Sequence, residues 1–307
     1  MVLTAGATLA VILFMTLTLI AVILGNSLGY FWIKDLVQLK LKDGSAVLGQ
    51  ITGSETHGLT DEARIQLKVG NRDLYAQDFR WVDEKEIAGR EYPDNVYLLE
   101  RMEHGNFFGY LQGLTKADGS SAAVDAATLG MLLQEVQKGK KGLNTIRKEM
   151  SALNQTSERL RLKIQKLEYK GAEANSSSIA GLAEQRARLT EQFDQLNDQL
   201  NQKNAELNKI TALFRDAEGK EKELPLSEIV RFYQPNSMSI FAKAGAYLVK
   251  IRELLFDDPR ESNTEGGLFP AIFGTVMMVL LMSVFSLPFG VIAAIYLREY
   301  AKEGRLV

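Results

Sequence analysis

His57 and His104 are the only imidazoles in a chain of 307 residues, and there is no cysteine. The two histidines stand far apart, each in a loop, and neither has a second ligand at the spacing of a metal site. Solvated loop histidines are the plain reading. Without thiols, no disulfide, thiolate metal site or cysteine nucleophile can form. The sequence holds no G-x-x-x-x-G-K-[ST] loop, no G-x-S-x-G elbow and no H-E-x-x-H pair. Its many carboxylates fall on patterned helical faces and need no catalytic explanation. No catalytic residue, cofactor or metal is therefore expected. The spacing that does stand out belongs to contact chemistry in a bilayer. Ser286, Gly290 and Ala294 recur every four residues, and such a small-xxx-small stripe lets a second helix approach closely in lipid. The bland alternative is that small residues are common in any membrane helix. Pro288, within the same stretch, lacks a backbone donor and crowds the preceding turn, so a kink or break is expected there.

The element that must carry these residues is an uncharged run from Gly266 to Leu297. About 20 apolar residues suffice to cross a hydrocarbon core roughly 30 Å thick, and this run exceeds that. A second uncharged run covers Val2 to Ile33; its apolar core, Leu9–Leu24, is followed by Tyr30, Phe31 and Trp32, amphipathic rings suited to the headgroup level. A cleaved signal peptide fits poorly. There is no basic leading region, the apolar stretch is too long and no small-residue cleavage site stands out. Residues 1–33 are read as a transmembrane anchor. The average composition, 46% hydrophobic and 24% charged with a net charge of −2, hides this segregation. It argues for neither nucleic acid nor an acidic ligand as partner.

Between the two runs the period of the sequence changes twice. Leu36–Lys42 alternates apolar and polar residues, Asp43-Gly44 follows as a turn, and Ala46–Ile51 returns. Arg64–Val69, Gly70-Asn71 and Asp73–Tyr75 read as a second hairpin, and Phe79–Val82 as a further strand. Val96–Met102 and Phe107–Leu111 flank a third turn at His104-Gly105-Asn106. The expectation is one small antiparallel barrel or sandwich over 34–120. After a polar linker, Leu129, Leu132, Val136, Leu143, Ile146, Met150, Leu153, Leu160, Ile164 and Leu167 form a heptad seam interrupted only at Gly139 and Ser157. Breaker residues follow at 171–178. The seam then restarts at Ile179 and runs through Leu182, Leu189, Phe193, Leu196, Leu200, Leu207, Ile210 and Phe214, with Arg186 and Lys203 at its polar positions. Two arms of nearly equal length predict an antiparallel coiled-coil hairpin over 121–218, whose seam is first of all what holds it together.

Residues 219–265 are expected to be connecting helices. One begins at Leu224-Pro225 and is broken at Gln234-Pro235-Asn236; an amphipathic one spans Ser237–Phe256. The second would pack on the β module, the more ordinary outcome, or lie on the bilayer surface. Arg298, Lys302 and Arg305 follow the last span. The bias of basic residues to the cytoplasmic flank places both termini in the cytoplasm and residues 34–265 outside the inner (plasma) membrane, periplasmic or extracytoplasmic in general. The fold class expected is a mixed α+β membrane protein with two transmembrane helices flanking an extracytoplasmic β module and coiled coil.

The run Asp257-Asp258-Pro259-Arg260-Glu261-Ser262-Asn263-Thr264-Glu265-Gly266-Gly267-Leu268-Phe269-Pro270-Ala271-Ile272-Phe273-Gly274-Thr275 resembles the start of the permease core of the PstA family, the membrane subunit of phosphate ABC importers. The segment from Pro288-Phe289-Gly290 to Glu299-Tyr300 is similar to that family's next stretch, and the anchor with its large insertion resembles the long form. The resemblance covers roughly the last 50 residues, with weaker support from Leu224 to Arg252. It implies alternating-access transport of inorganic phosphate with a second permease subunit, a cytoplasmic ATPase subunit and a periplasmic phosphate-binding protein as partners, and membrane lipid around the permease. Family permeases carry several further spans and a coupling loop after this point. Residues 266–307 are thus read as a first core helix followed by truncation, and no phosphate-path or coupling residue can be assigned. The chain by itself is not expected to transport. The competing function is a two-span scaffold whose coiled-coil arm binds a partner protein; an enzyme is the weakest reading.

Overall fold

Alternating apolar residues build the first sheet, as the period-two pattern requires. The computed structural model describes residues 2–29, 31–56, 63–169, 177–260 and 265–299. His57, most of the 171–178 loop, Tyr30, Lys302 and Arg305 lie outside them. Two units result, one comprising 35–237 and the other joining 1–34 with 238–307.

In the 35–237 unit, β1 (Val37–Leu41), β2 (Ala46–Thr56) and β3 (Ala63–Lys68) are followed by the one-turn helix α2 (Arg72–Tyr75), β4 (Phe79–Asp83), a 3-10 turn at Glu84–Glu86 and β5 (Ile87–Glu91). All neighbours are antiparallel, in the order β4-β3-β2-β1-β5. The chain then makes β6 (Val96–Arg101) and β7 (Phe107–Thr115), departs into the long helices α3 (Ala126–Tyr169) and α4 (Ser177–Asn208), and returns as β8 (Thr211–Arg215), β9 (Glu221–Pro225), a 3-10 turn at Leu226–Glu228 and β10 (Ile229–Tyr233). The second order is β10-β6-β7-β8-β9.

Removing the two long helices leaves a second copy of the first sheet. Four strands meander, a 3-10 turn follows, and the fifth strand returns to pair with the first. Even the irregularities coincide. The register slips between Ile51 and Gly53 in one copy and between Leu111 and Gly113 in the other. Another slip lies where the last strand leaves the first, at Lys40/Leu41 and at Ile229/Arg231. A bulge of this kind bends a strand and increases its twist, so matched bulges mean matched curvature. Gly49 faces Val37 and Gly109 faces Tyr97. A Cβ added there would lie 2.6 Å from the Lys68 carbonyl oxygen or 2.8 Å from that of Arg215, so the two glycines meet the same close approach.

Three expectations are corrected. The single module over 34–120 is two five-stranded sheets, the second completed by residues 211–233. Asp73–Tyr75 is one helical turn instead of a strand, because Asn71 (φ 52°) and Ala76 (φ 58°) both turn left-handed around it. The helix expected from Leu224 is β9, a 3-10 turn and β10, since Ala212 pairs with Leu224 across the sheet and Leu99 with Phe232. Ile210 and Phe214 likewise leave the helical seam and are buried in the second sheet's core with Leu129, Leu132, Leu133 and Val136 of α3. The first sheet has its own core of Val37, Leu39, Leu41, Val47, Leu67, Val69 and Val82. Leu36, Leu48, Val96, Leu98 and Phe108 form the seam between the copies.

The other unit holds α1 (Val2–Leu28), α5 (Ile240–Phe256), the two-residue strands β11 (Pro259–Arg260) and β12 (Glu265–Gly266), and α6 (Phe269–Glu299). Ser239 caps α5 by accepting from the Ala242 amide at 3.2 Å.

Candidate functional site

Ser286, Gly290 and Ala294 all lie exposed on α6, and a Cβ at Gly290 would meet nothing within 4 Å. Among the described residues, then, no helix packs on the stripe; it is a vacant face. Helix α6 continues through Pro288. Both α1 and α6 are long and apolar enough to cross a membrane. Phe14 is 71% exposed and Met282 68%, and an apolar surface of that extent is a surface for lipid or for other apolar helices.

The approach to α6 is closely determined. Gly266 sits at φ 89°, a region that side-chain-bearing residues avoid. At Gly267 a Cβ would fall 1.8 Å from the Asp257 carbonyl oxygen. The amide of Gly267 donates to Asp258 O at 3.1 Å and that of Leu268 to Leu254 O at 2.8 Å. Arg260 pairs with Glu253 at 2.7 Å, both largely buried. The glycine pair singled out in the sequence is thus what lets the chain fold back on the end of α5 before entering α6.

The 35–237 unit concentrates its buried polar groups where the two sheet copies meet. Arg101, 1% exposed, donates through Nη1 and Nη2 to the two oxygens of Asp73 at 2.9 and 3.0 Å. Its remaining donors reach the Gly105 carbonyl at 3.0 Å and the His104 carbonyl at 2.8 Å, and the guanidinium lies over the Phe107 ring. Lys222 adds a second cation at 2.7 Å from Asp73. Burial alone would raise the Asp73 carboxyl, but the hydrogen bonds and charges of Arg101 and Lys222 outweigh it and hold the group well below the usual carboxylate range. Asn71 gives and receives hydrogen bonds with the Phe108 backbone at 3.0 and 2.7 Å. Asn236 does the same with Leu36, at 2.8 Å in both directions, and also donates to the Pro93 carbonyl at 2.8 Å. Tyr75 donates to Asp216; burial first, then that carboxylate, push the phenol upward. These groups are satisfied by one another. They clamp the copies together. The cavity beside them, lined by Val47, Leu48, Val69, Asn71, Tyr75 and Asp216, has about 40 Å³, space for about one or two waters and not for a ligand.

Helices α3 and α4 pack against each other in opposite directions. Gly139 meets Leu207, and further out Met150 shares a hollow with Phe193 and Leu200. The gap in the seam at Gly139 has a purpose: its missing Cβ makes room for Leu207. Arg186 and Lys203, the polar seam positions, are exposed. At the base, Gln137 donates to the Val230 carbonyl at 2.8 Å, Lys140 to the Ser227 carbonyl, and Ser227 to Asn208 at 2.6 Å. Burial lowers the Lys140 ammonium, with Arg147 adding to it. The distal two thirds carries charged and amide side chains on its outer faces. His104 is in the β6–β7 turn at φ 67°. Among the described residues no group of three His, Cys, Asp or Glu could hold a metal ion.

The clamp residues Asn71, Asp73, Arg101, Lys222 and Asn236 were not singled out by sequence pattern; their partners lie up to 200 residues away. A buried arginine inside an apolar strand, Val96–Met102, was the one local sign of it. No protein-family model, curated protein or solved structure matches this chain.

Proposed function

We propose that this chain is the N-terminal part of the membrane permease subunit of an ABC importer for inorganic phosphate, of the PstA type. The observation that carries the reading is the lead-in to α6. The motif residues Gly266 and Gly267, on which the resemblance rests, sit where only glycine fits, and they deliver the chain into a helix of membrane length with a vacant small-residue face at Ser286, Gly290 and Ala294. In a permease that face receives a neighbouring core helix. Both termini lie in the cytoplasm and residues 34–265 in the periplasm. A second permease subunit, a cytoplasmic ATPase subunit and a periplasmic phosphate-binding protein complete the importer, and ATP hydrolysis belongs to the ATPase. The test is uptake of radiolabelled phosphate at limiting concentration in the native host after deletion of codons 1–307. Loss of high-affinity uptake, restored by the gene region in trans, is the expected result; unchanged uptake rejects the reading.

A second reading is favoured by one observation, the length of the arm. The 44 residues of α3 amount to about 65 Å of helix, far more than is needed to close the second sheet. A two-span scaffold that presents an antiparallel coiled coil to a protein partner accounts for that length directly. Unchanged phosphate uptake, together with a phenotype from shortening the arm distal to Met150 and Phe193, is the outcome that selects it.

A further inference from the structure

Helix α5 is apolar around most of its circumference, and three of its four charged residues lie on its covered side, the reverse of a helix on a water-soluble domain. Its exposed positions are Ile240, Phe241, Ala242, Gly245, Leu248, Val249, Arg252, Leu255 and Phe256, a stripe at helical spacing with a single charge. Its covered side holds the other three charged residues, among Ala244, Ala246, Tyr247, Ile251 and Leu254. Lys243 is only 9% exposed whereas Phe241 is 90% exposed, and Lys250 and Glu253 are also partly covered. In water the hydrophobic effect turns such a helix the other way round. Charges inward and an apolar stripe outward is the arrangement of a helix that faces hydrocarbon.

The neighbouring elements say which apolar medium. At its C-terminal end α5 is hydrogen-bonded to the residue that opens α6, Leu268 to Leu254, and the Arg260–Glu253 pair locks the connector. Along its length, Tyr247 stacks against Trp32, just beyond the end of α1, with ring centroids 6.1 Å apart. Both membrane-length helices therefore reach α5 by the ends that lie on one side of the bilayer. Seventeen residues make about 25 Å of helix.

We infer that α5 is an interfacial helix, lying in the outer headgroup–acyl boundary of the same bilayer that α1 and α6 cross, with Phe241, Leu248, Leu255 and Phe256 in the acyl region. The occupant of its apolar face is lipid. Arg252, the one cation on that face, has a stem long enough to reach a lipid phosphate while its methylenes stay among the chains. Trp32 and Tyr247 mark the same depth, where amphipathic rings prefer to sit. The inference rests on the membrane-spanning reading of α1 and α6 and adds a third, non-spanning contact to it.

The absence of cysteine makes the test direct. Single variants Phe241→Cys, Leu248→Cys, Leu255→Cys, Ala246→Cys, Val284→Cys and Glu184→Cys of the full chain are spin-labelled and reconstituted in phosphatidylethanolamine–phosphatidylglycerol vesicles. Collision with oxygen, concentrated in lipid, is compared with collision with a water-soluble nickel chelate. The expected result is a several-fold higher oxygen-to-nickel ratio at 241, 248 and 255 than at 184, approaching that at 284, with low accessibility to both reagents at 246. Free nickel collision at 241, 248 and 255 while 284 stays lipid-exposed overturns the interfacial helix alone. Low accessibility to both reagents at those three positions overturns it in favour of a protein cover. A nickel-accessible 284 overturns the spanning reading and the inference with it.

Discussion

The two sheet copies share strand order, bulge positions and a glycine at the same close approach, and yet they are finished differently. The first copy closes on its own aliphatic core. Leu41, paired with Ile87 at the last-strand bulge, is simply buried. At the matching position of the second copy, paired with Ile229, stands Arg101, which reaches out of its own sheet to Asp73 in the α2 turn of the first. The second copy also leaves its core open until α3 covers it with Leu129, Leu132, Leu133 and Val136. The lesson is that one backbone plan serves two tasks. One copy keeps an aliphatic core of its own; its neighbour uses the same frame to clamp on to it and to root a long arm between two strands.

The largest expected effect comes from removing the clamp. Arg101→Leu places in the second copy the residue type found in the first, but removes the two-pronged partner of a buried Asp73 and leaves it only Lys222. Breaking a buried pair from one side costs about 3–5 kcal/mol, read as a lower denaturation midpoint of the 35–237 unit within the full chain. A simultaneous Asp73→Asn change is expected to recover part of the loss. If Arg101→Leu is as stable as the parent, the clamp is not what joins the copies.

The arm comes next. Leu129→Ala removes a wholly buried side chain and is expected to cost about 2–4 kcal/mol, with amide exchange rising in β6–β10 as well as in α3. Leu153→Asp with Leu196→Asp, further out on half-buried positions, is expected to melt the distal helices while exchange protection in both sheets persists. Equal loss of sheet protection in the two cases removes the distinction between a rooted base and a free arm.

Gly49→Ala and Gly109→Ala sharpen the equivalence of the copies. Each pushes a Cβ against a backbone carbonyl and is expected to cost about 1–3 kcal/mol. The two losses should be similar; a large cost at one and none at the other breaks the match. The smallest effect is on pH dependence. Asp73 has a folded-state pKa held below its ordinary value of 3.8, so its contribution is fully present above that value and is lost as pH falls below it. The acid limb of the denaturation midpoint should be shallower in Asp73→Asn than in the parent.

Much of the chain was legible from one end to the other because its signals are local. The uncharged runs, the heptads of α3 and α4, and the Asp43-Gly44 hairpin each express a preference of residues within a few positions of one another. What was misread lay where distant pairing prevailed over local pattern. Leu224–Val230 has a helical look on its own, but Leu224 is held opposite Ala212 and Ile229 opposite Arg101, a strand more than a hundred residues upstream. The repeat escaped notice for a related reason. Its two halves share Gly-x-x-x-Gly at 49–53 and 109–113 and little else, and the arm separates the second half from its own ending.

By itself, then, the sequence determined the two apolar helices, the long helical arms and the first hairpins, because hydrophobic period and turn chemistry act over one or two turns of chain. Only the tertiary structure decided that a strand set is duplicated, that Arg101 and Asp73 are buried together, and that α5 covers Lys243 while exposing Phe241. Those outcomes depend on which surfaces meet after long loops have closed, and the free energy of such meetings resides in burial and pairing between residues that carry no trace of one another in their local pattern.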